Sequence, residues 1–484
     1  MKTAIFAASL SVAVAVGFAA QAQDLTAAAQ QDLQAAHDLL RDNAPQMVVD
    51  RDSAGFRSWL DAGLAQAKAL PTSKIANIRG YTYALRAYGV GFRDVNVDVR
   101  DVYAQAPEWF AIDWPGFALG WRAGAYVVEW TNPRDNHLPQ VGAKLISCDR
   151  VPAETLAQKR LDLFEGDLRQ PSDRLRTAPY LLWNRANPFV DPTPAKCDFD
   201  VGGRRRTYQI NPQIGGEDLR RQAYEAGAGR HEALSLEPFA GGFWITVHTL
   251  DDSAGWDAFL AQIEAQQAAI QAAPVVVLDL RGAAGASSRN GFRVANRIWT
   301  PDVIAAGAAQ TVHVAYRATG DNAKSVQTLA DQLKASPQYA YQAPKYQALA
   351  TALSQAVAAH QPTLQQDESV ARAPGDHPNP VKGKVIVLTD GWCTAGCLDV
   401  LDVILHLPNV VQAGAATSTS SIFVAREELP LPSGQGKVVF GGGVWSDRGR
   451  GSDQPYAPAA AMTYNGAPDN ETAYKAWVQG FAHP

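Results

Sequence analysis

The sequence holds little material for metal or redox chemistry: 4 cysteines, 3 methionines and 9 histidines among 484 residues. One C-x-x-x-C runs from Cys393 to Cys397, but no histidine pair at ligand spacing accompanies it, so neither a metal nor a cofactor is expected. Charge of one sign is missing too. A formal charge of -5 is no acidic or basic field over a chain of this length, which speaks against a nucleic-acid partner. The glycine loop after the mostly apolar run Val275 to Leu280, Gly282 to Gly285, lacks the third glycine and the acidic ribose partner of a dinucleotide site. After the first 20 residues no apolar run of about 20 residues follows, so no transmembrane span is expected.

What is present begins with Met1-Lys2, an apolar run from Ala4 to Ala20, and the small-x-small triplet Ala20-Gln21-Ala22. This pattern predicts a cleaved signal peptide over 1–22 and a periplasmic or secreted protein. In an exported chain four cysteines suit two disulfides, and position suggests Cys148 with Cys197 and Cys393 with Cys397. The residues after 22 number about 460, enough for two to four domains. Helical spacing of Leu33, His37 and Leu40, then Phe56, Leu60 and Leu64, predicts a small helical domain up to about Asn77, with a further helix over Ile78 to Tyr88. Ala125 to Trp130 alternates as a strand does, and Leu156 to Arg230 is polar and punctuated by proline and glycine. The triplet Arg204-Arg205-Arg206 in that stretch reads as solvated surface. A helix is expected over Trp256 to Ala272, a buried strand over Val275 to Leu280, and helix over Asn322 to Ala359.

The chain is organised around Lys384 to Leu407, KVIVLTDGWCTAGCLDVLDVILHL. Val385 to Leu388 reads as a buried parallel strand, and Leu398, Leu401, Val403, Ile404 and Leu405 as a buried helix that stops before Pro408. Strand, tight turn and helix is a place where hydrolases mount a nucleophile, because free N–H groups at the helix start stabilise an oxyanion. The turn is Cys393-Thr394-Ala395-Gly396-Cys397, with Ala395 at its apex.

Val387 to Asp390, Cys393, Cys397, Leu398 and Asp399 resemble the nucleophile segment of tail-specific (C-terminal-processing) serine peptidases, a strand ending in VLTD and then C-x-S-x-C-L-D. Where that family carries serine, this chain carries Ala395, and a methyl group cannot attack a carbonyl. Gly91-Phe92-Arg93-Asp94-Val95-Asn96 is similar to the family's G-F-x-D-x-H, with Asn96 at the place of the histidine base. An amide has no useful basicity near neutral pH. Asp279 to Ser288 resembles the family's D-L-R-G-N-G-G-G loop, but retains only Gly282 and Gly285, with Ala283, Ala284 and Ala286 between and after them. Positive φ is costly for alanine, so a different loop path is expected. In the resemblance Gly285 and Gly396 stand at oxyanion-type positions. In the family's Ser-Lys branch the base follows the glycine that matches Gly414, yet Thr419 and Ser420 stand there and the next lysine is Lys437. Trp445 to Tyr456 is similar to a closing segment R-x-R-G-x-x-x-P-Y, whose arginines are expected to brace the C-terminal end.

Asp113-Trp114-Pro115-Gly116-Phe117, the strand Ala125 to Trp130 and Val141 to Ala153 resemble a PDZ-like module, in which Gly116 and Phe117 would cradle a peptide carboxylate. The resemblance implies an α/β, crotonase-like ββα-repeat peptidase core over 206–484, preceded by a helical domain over 23–110 and a PDZ-like β-rich module over 111–205. Three functions follow from the residues. One is a non-catalytic exported protein that binds extended peptides or unfolded tails. Another is an active serine-type endopeptidase with its nucleophile shifted to Thr394 or Cys393, at a helix N-terminus that favours a thiolate or an oxyanion. The third is a scaffolding role with the cleft filled. His248 and His406 are the histidines that another loop could offer as base.

Overall fold

The computed structural model describes residues 25–103, 106–229, 233–285, 287–308, 311–337, 339–369, 375–468 and 470–482. The expected signal peptide and Ala286 lie outside them. Helices Leu25–Asn43, Ala54–Lys68, Thr72–Ile75 and Ile78–Val90 form the N-terminal unit. The last is started by Asn77, whose side chain accepts from the Gly80 N–H. Leu33, Leu40, Phe56, Leu60, Leu85 and Tyr88 pack inward, but the same cluster takes in Leu429, Leu431, Val438 and Phe440 from the far end of the chain. Strand Asp98–Asp101 also pairs with Gly436–Trp445. The helices therefore finish their core on a sheet supplied by the C-terminal part.

The β-rich unit orders its strands Phe117–Arg122, Ala125–Thr131, Lys144–Cys148, Lys196–Val201 and Arg204–Gln209, with Val151–Pro152 beside Lys144–Cys148. Helix Glu217–Ala228 packs on it, and one apolar cluster runs from Ala111 to Ala228 and takes in Trp392. Cys148 and Cys197 face each other across two paired strands and are joined as a disulfide. Serine at both positions is expected to lower the unfolding free energy by about 2–4 kcal/mol, because the bridge restricts the unfolded chain. Urea denaturation checks this, and an unchanged midpoint would show that the staple contributes nothing.

The central sheet orders Leu234–Phe239, Gly242–Val247, Val275–Asp279, Lys384–Thr389 and Val410–Gly414, parallel from the second strand onward. Both faces are covered, so its middle strands are apolar between their ends, at Val275 to Leu278 and Val385 to Leu388. Val276, Leu278, Val385 and Val387 face the helices Trp256–Ala265, Arg289–Ile298 and Gly396–Ile404. Val275, Val277, Ile386 and Leu388 face Tyr474 and Val478 of the helix Glu471–Ala482. A second sheet joins Asp98–Asp101, Gly436–Trp445, Thr311–Arg317 and Thr363–Ser369, with Phe423–Pro430 also on Gly436–Trp445.

Two expected helices are each two. Trp256 to Ala272 breaks at Gln266, whose backbone (φ -104, ψ 5) leaves the helical region before Gln267–Ala272 resumes. Asn322 to Ala359 is a hairpin of Gly320–Ala335 and Ala343–Ala358, turned around Pro337, which cannot continue the first helix. The hairpin lies on the second sheet, beside Val314, Tyr316 and Val424. Among the described residues no helix is long and apolar enough to cross a membrane.

Candidate functional site

Val275–Asp279 and Lys384–Thr389 are adjacent parallel strands, so the loops that leave their C-terminal ends meet. That is the end of an open parallel sheet where α/β proteins place their sites. After Thr389 the chain turns through Gly391–Ala395 into the helix Gly396–Ile404. Ala395 sits at φ 40, ψ -105, a region that costs a non-glycine residue about 1–3 kcal/mol and persists only when neighbours impose it. Those neighbours can be named. Cys393 and Cys397 are buried and bonded to each other across the apex. The Cys393 N–H donates to the Asp390 carbonyl (3.1 Å), and the Ser418 N–H donates to the Cys393 carbonyl (3.2 Å). Asp390 Oδ1 accepts from the N–H groups of Trp392 (2.9 Å) and Gly282 (3.0 Å), tying the two loops together. Burial raises the Asp390 carboxyl to about 6, against the pull of those two N–H groups.

The turn exposes the Ala395 methyl and half-buries Thr394. Gly396 is required: a Cβ there would lie 2.3 Å from the Ser287 carbonyl carbon. Its N–H, the natural oxyanion donor at the helix start, is engaged by the Gly285 carbonyl at 3.1 Å. Two backbone hydrogen bonds set the path of the alanine loop. The Ala284 N–H bonds to the Gly282 carbonyl (2.6 Å), and the Ala284 carbonyl accepts from the Leu250 N–H (2.9 Å), so the loop is drawn towards the neighbouring strand end. The Gly285 carbonyl thereby occupies the first N–H of the elbow helix. The orientation of one peptide carries no signal in residue type.

Asn96 is held in place by its own amide, which donates to the Phe423 carbonyl at 2.6 Å. Its N–H donates to Asp94 Oδ1, and Asp94 Oδ2 accepts from Ser421 Oγ (3.0 Å) and Gln46 (3.2 Å). Burial pushes the Asp94 carboxyl up. Ser420 Oγ takes a hydrogen bond from Arg448, which also donates to the Ser421 carbonyl (2.8 Å) and reaches Asp399 at 3.4 Å. Arg450 clamps Asp402 (2.9 and 3.0 Å), so both arginines brace the C-terminal segment against the elbow helix.

A cavity of about 370 Å³ lies where the three units meet, lined among others by Arg93, Asp94, Asp98, Ser172, Thr419 and Asp453. It adjoins the turn, since a Cβ on Gly391 would touch Ser172 (2.9 Å). Its arginines are paired: Arg93, for instance, holds both Asp162 and Asp167. Burial lifts the Asp453 carboxyl to about 8, and Asp94 and Asp167 add to the effect. Asp94, Asp390 and Asp453 went unnamed as site residues. The D of G-F-x-D and of VLTD was a signal for the first two, and nothing in the sequence pointed to the third.

Neither histidine offered as a replacement base serves the turn. His248 Nε2 lies 3.2 Å from Asp279 Oδ2. Burial works against the Asp279 charge, but Arg281 and His248 hold that carboxyl well below the usual range. His406 is exposed and bonds the Asp402 carbonyl at 3.0 Å. Gly116 and Phe117 are also away from the cavity lining. Gly116 has φ 79 and its carbonyl accepts from the Asn132 N–H, while the Phe117 ring is buried 5.9 Å from Phe199. Among the described residues no group of three or more acidic, histidine or cysteine side chains is arranged to hold a metal.

No family model matches the sequence, and no curated protein matches it. Solved structures do. Mature CPAF is 12% identical, with 94% of this chain and 96% of that chain aligned at a TM-score of 0.58. Mature CPAF complexed with lactacystin is 12% identical over 94% and 97%, at 0.57. The photosystem II D1 C-terminal processing protease is 9% identical over 90% and 93%, at 0.38, a level from which nothing further follows. The α/β fold expected from the sequence is the fold present, and it is shared with mature CPAF over nearly the whole of both chains. At these identities the likeness concerns the fold alone.

Proposed function

We propose that this chain is an exported protein of tail-specific-peptidase fold that binds extended polypeptide tails without cutting them. The observation that carries the reading is the turn at Ala395: a methyl group stands at its apex, and the adjacent Gly396 N–H is bonded to the Gly285 carbonyl. Cys393 is in a disulfide and supplies no thiolate. The Thr394 hydroxyl has no hydrogen-bond partner among the described residues, and a hydroxyl nucleophile needs a base beside it. The open cavity beside the turn favours a ligand over a filled scaffold. Two disulfides and the apolar N-terminal segment support export. The β-rich unit, with Gly116 and Phe117, belongs to the same proposal as a peptide-capturing module.

The test is to incubate the purified protein with an unstructured peptide bearing a free C-terminus, following initial cleavage rates and calorimetric binding together. Binding without turnover is the expected result. Turnover that disappears in Thr394→Val would establish the shifted nucleophile instead, and neither binding nor turnover would leave the scaffold.

A further inference from the structure

The hairpin Lys196–Val201 and Arg204–Gln209 ends the sheet of the β-rich unit, and among the described residues its second strand has a strand neighbour on one side only. Its turn is the two residues Gly202-Gly203, at φ 60 and 80, so Val201 and Arg204 are the pair that flanks a two-residue loop. In such a hairpin the flanking pair exchanges both backbone hydrogen bonds, and every second residue thereafter does the same. Arg204, Arg206 and Tyr208 therefore bond inward, and the Ile210 N–H continues the series by donating to the Ala195 carbonyl (2.8 Å). Arg205, Thr207 and Gln209 turn their N–H and C=O groups away from the sheet. Among the described residues nothing supplies backbone partners for them.

Side chains alternate as the backbone does. Arg205 and Thr207 lie on one face and both bond Asp198, so that arginine is neutralised. Arg204 and Arg206 lie on the other face with Tyr208, are exposed, and pair with no carboxylate among the described residues. Two open arginines thus leave the same face from backbone positions about 7 Å apart along the strand. A second copy of the same edge would bring like charges together, which disfavours pairing between copies. An acidic strand meets both requirements: backbone groups for the edge and carboxylates for the arginines.

We propose that Arg204–Gln209 is a docking edge for an extended acidic segment of a partner protein, added as a further strand with carboxylates at alternate positions over Arg204 and Arg206. The proposal stands apart from the Ala395 turn and survives if the tail-binding reading fails.

The probe is a fluorescent ten-residue peptide of alternating glutamate and threonine, titrated with the full protein. Saturable binding is expected, with no binding of the matching lysine–threonine peptide. N-methylation of alternate backbone nitrogens, tested in both registers, is expected to weaken binding about tenfold in one register, because each methyl group removes an edge hydrogen bond. Arg204→Glu with Arg206→Glu should abolish it. Thr207→Pro should weaken it similarly to N-methylation while leaving the hairpin paired, since the Thr207 N–H faces outward. Absence of saturable binding at low salt overturns the proposal. So does equal binding of both N-methylated peptides, or displacement by an oligonucleotide of equal charge, since either would make the edge a mere anion patch.

Discussion

Ala395→Ser alone is expected to cleave an unfolded-tail peptide no faster than the unaltered chain, whereas Ala395→Ser with Asn96→His should raise the rate by about 10²-fold or more, the range of a positioned general base. The turn is already shaped for a nucleophile: Ala395 holds a strained backbone, and its side chain faces outward. A serine hydroxyl placed there would keep its proton, because Asn96 is an amide that donates to Phe423 and His248 is turned to Asp279. Nucleophile and base act as a unit, so restoring one alone gains almost nothing. Even the double variant should fall about 10²–10³-fold short of an intact site, the usual cost of one lost oxyanion donor, since the Gly396 N–H remains bonded to Gly285. Glycine at Ala284 as a third change should recover part of that deficit by freeing the loop. Efficient cleavage by Ala395→Ser alone would mean that a base already reaches the turn, and the chain would then be a singly inactivated peptidase.

The elbow was legible in the sequence because each part has a local signature. Val385 to Leu388 is a short β-branched-rich apolar run of the kind a strand covered on both faces accommodates, and the small residues around Ala395 allow a tight turn between it and an apolar helix. That alanine stands at the apex of the turn could be read directly from residue identity. What escaped depends on partners distant in sequence. The N-terminal helices look self-sufficient by spacing, yet close their core on Val438 and Phe440. The hairpin after Lys196 lies in a stretch that reads only as polar and punctuated by proline and glycine, because its outer strand is an exposed edge and lacks buried alternation. Gly202-Gly203 was the signal that could have revealed it. The bond from the Gly396 N–H to the Gly285 carbonyl was beyond reach, since it depends on how one peptide is oriented.

Glu427→Gln is expected to stabilise the fold by roughly 3–5 kcal/mol at pH 9 and by little at pH 4.5. Glu427 lies on the strand Phe423–Pro430 beneath the helix Gly320–Ala335, and its stem packs against Gly442, where a Cβ would come within 2.6 Å of Glu427 Cγ. Burial raises its carboxyl to about 8, and the Ser325 hydroxyl opposes the shift only in part. No cation pairs with it among the described residues. The folded chain therefore keeps this proton up to about pH 8, while the unfolded chain releases it near 4.5. Between those values the native state binds more protons, so stability falls as pH rises, and above pH 8 the whole penalty is present. Glutamine keeps the shape and removes the charge, so the gain should grow over that window and then level off. Asp390 and Asp453 are raised in the same direction, which is why the readout is the difference between the two chains in urea at each pH. A difference that does not change between pH 4.5 and 9 would mean that Glu427 titrates normally and that the helical hairpin opens enough to let water reach it.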